Sequence, residues 1–231
     1  TVMMVVNTPA NPTGGIFSEE TLRKLAEIAV EHNLWVISDE IYNKIIYEDK
    51  HRSISTFPGM AERTIVCNGA SKTFAMTGWR MGWSLTKNEE MRKAIWQLQI
   101  NDTSCPPTMN QMAITEATIG QKTPAAVEAM RQKYLTRRDL LVSLVNEIPG
   151  LSAKPPKGAF YLFANAKPLC EKLGLNSKQL QDKIMREAHV LLLFGSGFGP
   201  HGEGYLRFSY VSSEEDLREG CRRIKEWAEK L

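Results

Sequence analysis

The sequence predicts an α/β protein, with a mostly parallel sheet carrying helices on both faces and a smaller α+β part after it. Three observations carry that prediction. Apolar runs at residues 2–6 and 34–37 flank a segment of helical periodicity, which is the strand, helix, strand order of a parallel pair. Two further apolar runs, 64–67 and 81–85, follow turn-rich polar sequence. Beyond a long helical stretch ending at Pro149-Gly150, strands and helices continue without that βαβ rhythm.

Run 2–6 reads as a buried strand and begins almost at Thr1, so the chain is expected to be a fragment lacking an amino-terminal part. Pro9, Pro12, Gly14 and Gly15 mark the next stretch as a turn. Ser18 is placed as an N-cap, with Phe17 and Leu22 as a hydrophobic staple. Leu22, Leu25, Ala26 and Ala29 then repeat at helical spacing. Run 34–37 ends at Ser38-Asp39-Glu40, and run 64–67 delivers the chain into a loop containing Ser71, Lys72 and Arg80. Residues 88–100 predict a helix. Thr123-Pro124 opens a longer one, with Val127, Met130, Tyr134, Leu141, Leu144 and Ile148 on one face. At about 25 residues it would run ~37 Å, enough to bridge two domains. The boundary is set inside it, giving domains 1–140 and 141–231. Strands follow at 158–164, 190–194 and 205–211, with a helix at 177–189. Ser212 and Glu215 form the expected capping box of a last helix, whose apolar face holds Leu217, Cys221, Ile224, Ala228 and Leu231.

Composition excludes several classes. A hydrophobic share of 42% with 24% charged residues is that of a globular protein. A net charge of +3 gives no reason to expect nucleic acid or an anionic membrane, and the cationic cluster 131–138 reads as a solvated face. The four cysteines, Cys67, Cys105, Cys170 and Cys221, form no CxxC, so neither zinc nor a disulfide framework is signalled. Cys67 and Cys221 read as buried thiols in a reducing, cytoplasmic setting. No apolar run reaches the ~18 residues of a membrane span. Residues 197–202 satisfy GxGxxG but precede a strand and contain Pro200, which argues against a dinucleotide site. The four histidines lack metal-ligand spacing, so no metal is expected, and Trp79, Trp83 and Trp96 are assigned to the core.

The chemistry gathers around Lys72. A lysine at the end of a buried strand becomes a usable amine nucleophile, because burial disfavours the ammonium. With an arginine eight positions later, it suggests Schiff-base chemistry on a phosphorylated carbonyl compound. The rival reading is a surface loop with two solvated cations. Ligands of open α/β sheets bind beyond the carboxyl ends of the strands, where Asn11, Asp39 and Lys72 all fall, and Tyr42 follows Asp39 by one helical turn. Amide, carboxylate, phenol, amine and guanidinium together suit a pyridine aldehyde phosphate. Each has a plainer rival: a turn for Asn11, a helix cap for Asp39, core packing for Tyr42, loop stabilisation for Ser71. Arg207, in an apolar strand, would be a buried charge without a ligand.

The segments Asn11-Pro12-Thr13-Gly14, Asp39-Glu40-Ile41-Tyr42, Ser71-Lys72, Gly78-Trp79-Arg80 and Gly202-Glu203-Gly204-Tyr205-Leu206-Arg207-Phe208-Ser209 resemble, in order and spacing, those of fold-type I aminotransferases of the aspartate aminotransferase class (class I/II). The resemblance implies the fold of the pyridoxal 5′-phosphate (PLP)-dependent transferases and that cofactor. By it, Lys72 is the catalytic residue, forming the Schiff base and moving the proton at the substrate Cα. Asp39 would pair with the pyridinium nitrogen, Asn11 and Tyr42 with the phenolic oxygen, and Ser71 and Arg80 with the phosphate. Arg207, with Asn11, would hold the substrate α-carboxylate.

The implied reaction is exchange of an amino group between an L-amino acid and a 2-oxo acid, in a homodimer. Two alternatives stay open: another PLP reaction such as β-elimination, and a truncated module that binds PLP without turnover. The sequence departs from the family in two places. Gly69 stands where many members have a phosphate-binding serine, so either one phosphate contact is lost or the backbone N–H serves instead. The amino-terminal part that would supply a phosphate-cradling turn, an aromatic stacked on the pyridine ring and a tyrosine for the neighbouring subunit is expected to be missing from the chain.

Overall fold

A computed structural model describes residues 1–48 and 50–231. They fall into two compact units: Thr1–Pro9 with Ile16–Met130, and Ala10–Gly15 with Arg131–Leu231. The sequence sets its division in the same helix, near residue 140. It holds no signal that the turn 10–15 groups with the second unit.

In the first unit, strands β1 (Met3–Asn7), β2 (Trp35–Asp39) and β3 (Thr64–Gly69) pair in parallel, and β4 (Gly82–Leu85) closes the order β1-β2-β3-β4 by pairing antiparallel to β3. The reversal at β4 has a simple cause. A parallel return needs a crossover of about a dozen residues or more. The connection here is instead spent on the four-residue helix α2 (Ala70–Thr73) and a tight turn at Thr77–Trp79.

Helix α1 (Glu19–Glu31) is the β1–β2 crossover. The Ser18 side chain accepts from the Thr21 N–H and caps it, while Glu19 and Glu20 complement its positive end. Leu22, Ala26 and Ala29 pack with Val6, Leu34, Val36, Ile54, Phe57 and Met60 into one core. Phe17 is 42% exposed and stands outside that core.

The expectation that run 2–6 is fully buried is corrected as well. β1 is an edge strand, with Met4 and Val6 toward the core while Met3 and Val5 are exposed. Helices α3 (Glu89–Asp102) and α4 (Thr108–Ile119) complete the unit, and α4 went unseen in the sequence. α3 buries no residue, and Trp79 and Trp96 are exposed at 42% and 63%, so the tryptophans expected in the core do not form one.

Helix α5 (Thr123–Asn146) runs through the division between the units. In the second unit, β5 (Tyr161–Asn165), β6 (Leu193–Phe194) and β7 (Tyr205–Ser209) form an antiparallel sheet of order β5-β7-β6, with helices α6 (Lys167–Leu173), α7 (Ser177–Glu187) and α8 (Glu214–Ala228). All three strands are shorter than their apolar runs. The β5–β7 register pairs Leu162 with Phe208 and Ala164 with Leu206, all buried. The cap of α8 is Ser213, whose side chain accepts from the Asp216 N–H, one residue later than the expected Ser212. Leu217, Cys221, Ile224 and Ala228 are buried as the periodicity predicts, joined by Trp227, whereas Leu231 is exposed. Among the described residues, no helix is long and apolar enough to cross a membrane, and no cluster of His, Cys, Asp or Glu is placed to hold a metal ion.

Two predictions follow from this packing. Leu22→Ala should cost about 2–5 kcal/mol in urea unfolding because it empties a closed site, while Ile28→Ala, 43% exposed on the same helix, should cost under about 1 kcal/mol. Burial pushes the Cys221 thiol up to about 12, with Glu147 adding to it, whereas Cys105 is exposed. A thiol reagent at mildly alkaline pH should therefore label Cys105 first and reach Cys221 only on unfolding.

Candidate active site

The site residues of the first unit stand where β2 and β3 end. The parallel register places Asp39 opposite Cys67, so both strands reach the same edge of the sheet with their carboxyl ends. Asp39 Oδ1 accepts the Ile41 N–H at 3.2 Å, which turns the chain out of the strand. Its carbonyl accepts from Thr8 N–H and from the Asn7 side-chain amide, each at 3.3 Å. Asp39 is thus half-buried and held from the β1 side. Tyr42 is buried to 3% exposure in the following turn, where Ile45 N–H donates to its carbonyl at 2.8 Å.

The neighbouring Glu40 is buried too. Burial pushes its carboxyl up, but hydrogen bonds from His51, Ser53 and Ser38 outweigh that and hold it below the usual carboxylate range. The sign of the consequence is fixed: Glu40 contributes stability above the ordinary carboxylate pKa, and this is lost as pH falls through its lower folded value.

Lys72 lies in α2, directly after β3. It is half-buried, not buried as the sequence argument assumed. Ser71 precedes it, also half-buried, and its carbonyl accepts the Thr77 hydroxyl at 3.1 Å. Arg80 is exposed and its guanidinium donates to the Thr77 carbonyl at 3.0 Å. Ala75 and Arg80 both take left-handed backbone angles, at φ 54° and 51°. Non-glycine residues held there store strain, which gathers at functional loops.

Gly69 has a structural reason to be glycine: a Cβ there would meet the Met81 carbonyl oxygen at 2.9 Å and the Gly82 Cα at 3.3 Å. Its N–H donates to Asn68 Oδ1 at 2.8 Å, so that N–H is already engaged and does not simply replace a serine hydroxyl.

The second unit holds Arg207 and Asn11. Arg207 Nη1 donates to Asn11 Oδ1 at 2.7 Å. The guanidinium carbon lies 4.3 Å from the Tyr161 ring centroid and 4.9 Å from that of Phe198. Arg207 is therefore half-buried with hydrogen-bond and cation–π partners, not the unsupported buried charge that the strand pattern implied. Tyr161 and Phe198 were missed in the sequence. Tyr161 is legible in hindsight, since it sits diagonally across the β5–β7 pair from Arg207 and so on its face.

Phe198 belongs to the glycine-rich loop. There Gly195 and Gly202 approach so closely that a Cβ on either would strike the backbone of the other. The glycines thus serve a backbone crossing before a strand, consistent with rejecting a dinucleotide motif. Glu203 ties this loop to α7 by accepting from Ser177 N–H at 2.6 Å and from its hydroxyl at 3.0 Å, and the Ser177 backbone bond leads the causes that lower the Glu203 carboxyl.

The comparisons with known proteins decide the family. The model of the family "Aminotransferase class I and II" matches residues 1–224. The chain belongs to that family. Among its relatives, an aspartate aminotransferase of Pyrococcus abyssi is 43% identical over 97% of this chain. An aromatic-amino-acid aminotransferase of Thermococcus litoralis is 41% identical over 96% of it. The solved aromatic aminotransferase of Pyrococcus horikoshii superposes on all of the chain at a TM-score of 0.93 and 40% identity. The chain spans only 57%, 56% and 60% of those three proteins, respectively.

Class I and II aminotransferases are PLP-dependent transferases of this α/β fold. The residue types of the first unit fit that cofactor chemically: a lysine, a carboxylate and a tyrosine in the segments where β2 and β3 end, and an arginine in the strained loop after the lysine.

One expectation tests the Arg207 geometry alone. Phe198→Ala removes one of the two rings, an interaction worth about 0.5–2 kcal/mol. Exchange of the Arg207 guanidinium protons, followed by nitrogen-15 NMR, should speed up in the variant while a distant arginine such as Arg23 is unchanged.

Proposed function

We propose that this chain carries the cofactor and substrate-carboxylate residues of an aminotransferase that exchanges an amino group between an L-amino acid and a 2-oxo acid. The observation that carries the reading is the pairing of β2 with β3, which brings Asp39 and the Lys72 segment to one edge of the sheet in a chain of this family. Bound PLP supplies the electron sink that lets the substrate Cα–H bond break. Lys72 moves the proton at that carbon. Asp39 holds a proton on the pyridine nitrogen, and Tyr42 and Asn11 orient the ring through its phenolic oxygen. Ser71 and Arg80 bind the phosphate, Arg80 by charge-assisted bonds. Arg207 binds the substrate α-carboxylate and so fixes the Cα–H bond for proton removal.

Two of its relatives are named for aspartate and for aromatic amino acids, and we take the substrate from that range. The unpaired cysteines suit a cytoplasmic setting, and family likeness suggests a homodimer.

Borohydride reduction of the chain incubated with PLP, followed by peptide mapping, should place the reduced cofactor on Lys72. Lys72→Ala should lower transamination about 10²–10⁴-fold or more. Arg207→Gln loses charged hydrogen bonds worth about 1.5–3 kcal/mol and should raise KM roughly tenfold to a hundredfold. Labelling at another lysine, or full activity of Lys72→Ala, would overturn the proposal. Labelling of Lys72 with no 2-oxo acid formed selects the binding module, and 2-oxo acid formed without an acceptor in excess of one equivalent per PLP, with ammonia released, selects a lyase.

A further inference from the structure

We infer that His51 is a positioning residue for Asp39 and Tyr42, acting through Glu40. The inference rests on the roles proposed above for those two residues. Glu40 follows Asp39 directly, and its N–H donates to the Cys67 carbonyl at 2.9 Å, extending the β2–β3 ladder by one residue. Its side chain is 4% exposed. One carboxylate oxygen accepts the Ser38 hydroxyl at 2.9 Å, and the other lies 2.7 Å from His51 Nε2.

The chain leaves the sheet at Glu40, and His51 meets Glu40 again through their side chains. Tyr42, Ile45 and Ile46 lie within this loop, at 3%, 0% and 9% exposure. The Glu40–His51 contact therefore closes the loop that carries Tyr42, at the point where the loop departs from Asp39. A buried carboxylate that loses a donor is costly, and the chain can relieve that cost only by moving the segment that holds it.

The tautomer of the ring follows from its surroundings. Among the described residues, His51 Nδ1 is buried and has no hydrogen-bond partner. A proton there would be a buried donor without an acceptor, whereas a lone pair is the smaller loss. The tautomer assigned is the one with the proton on Nε2, donated to Glu40. Sequence spacing had set this histidine aside because it matches no metal-ligand pattern, and its role here needs no metal.

The test compares His51→Gln, His51→Asn and His51→Ala in the full 231-residue chain. A glutamine amide nitrogen reaches the place of Nε2, while an asparagine amide reaches only that of Nδ1. Amide hydrogen exchange at Ile41, Tyr42 and Ile45 should accelerate about tenfold in the alanine and asparagine variants and return toward wild type in the glutamine variant. The dissociation constant for PLP, from absorbance titration, should follow the same order, with the glutamine variant alone close to wild type. Nitrogen-15 NMR of the wild-type chain should show the Nε2–H tautomer.

Unchanged exchange in His51→Ala, equal behaviour of the glutamine and asparagine variants, or an Nδ1–H tautomer would each overturn the inference. If His51→Ala fails to fold, the glutamine–asparagine pair still decides. Failure of the proposed function reads differently: the wild-type chain would bind no PLP, while exchange at Tyr42 would still report on the contact.

Discussion

The parallel pairing of β2 with β3 is the constraint on which the first unit depends. In a parallel pair both strands point their carboxyl ends the same way, so the chain must leave the sheet twice at one edge, after Asp39 and after Gly69. Backbone groups at such exits need partners, and the polar side chains there supply several: Asp39 for the Ile41 N–H, Asn68 for the Gly69 N–H. Register is fixed by burial. Val36 and Ser38 point inward, and a slip of one residue would turn them out and bring Ile37 and Asp39 into the core. The same alternation that secures the core therefore decides that Asp39 ends half-buried at the edge.

Glu40 shows the cost of that arrangement. It is the residue at which the ladder stops, and its carboxylate is turned inward, where it needs Ser38, His51 and Ser53. A buried charge held this way is weak evidence of added stability, since an apolar replacement of similar shape can be neutral or better. Its value lies in specificity: the contact of His51 with that oxygen at 2.7 Å ties the far end of the loop to the end of β2.

Much of the fold was legible because it rests on local periodicity. Leu22, Ala26 and Ala29 announced α1, and Leu217, Cys221 and Ile224 announced α8. What was not legible depends on partners distant in sequence. The antiparallel turn of β4, the edge position of β1 and the exposure of Trp96 follow from which strand or helix lies alongside, and a hydrophobic pattern does not say that. The same division applies to the site. The positions of Asn11, Asp39, Lys72 and Arg207 could be named from motifs. Tyr161 and Phe198 act only through the sheet pairing and loop that bring them to Arg207, and His51 only through a loop return. Lys72 is instructive in the other direction. The motif named it as the residue to consider, but the premise of burial was wrong, because α2 turns it out of the strand before the core can enclose it.

The environment of Arg207 also bears on what it can bind. A guanidinium is planar, and here its carbon lies 4.3 and 4.9 Å from two aromatic ring centroids. Its N–H groups point outward in its own plane. Asn11 takes one of those directions through Nη1. An anion that is itself planar and offers two oxygens in one plane can take a guanidinium edge by two parallel bonds. Aromatic neighbours also displace water from the group, which strengthens whatever charge pair forms at the edge. A carboxylate meets each of these conditions, and they come from three side chains of the second unit that no single motif contains.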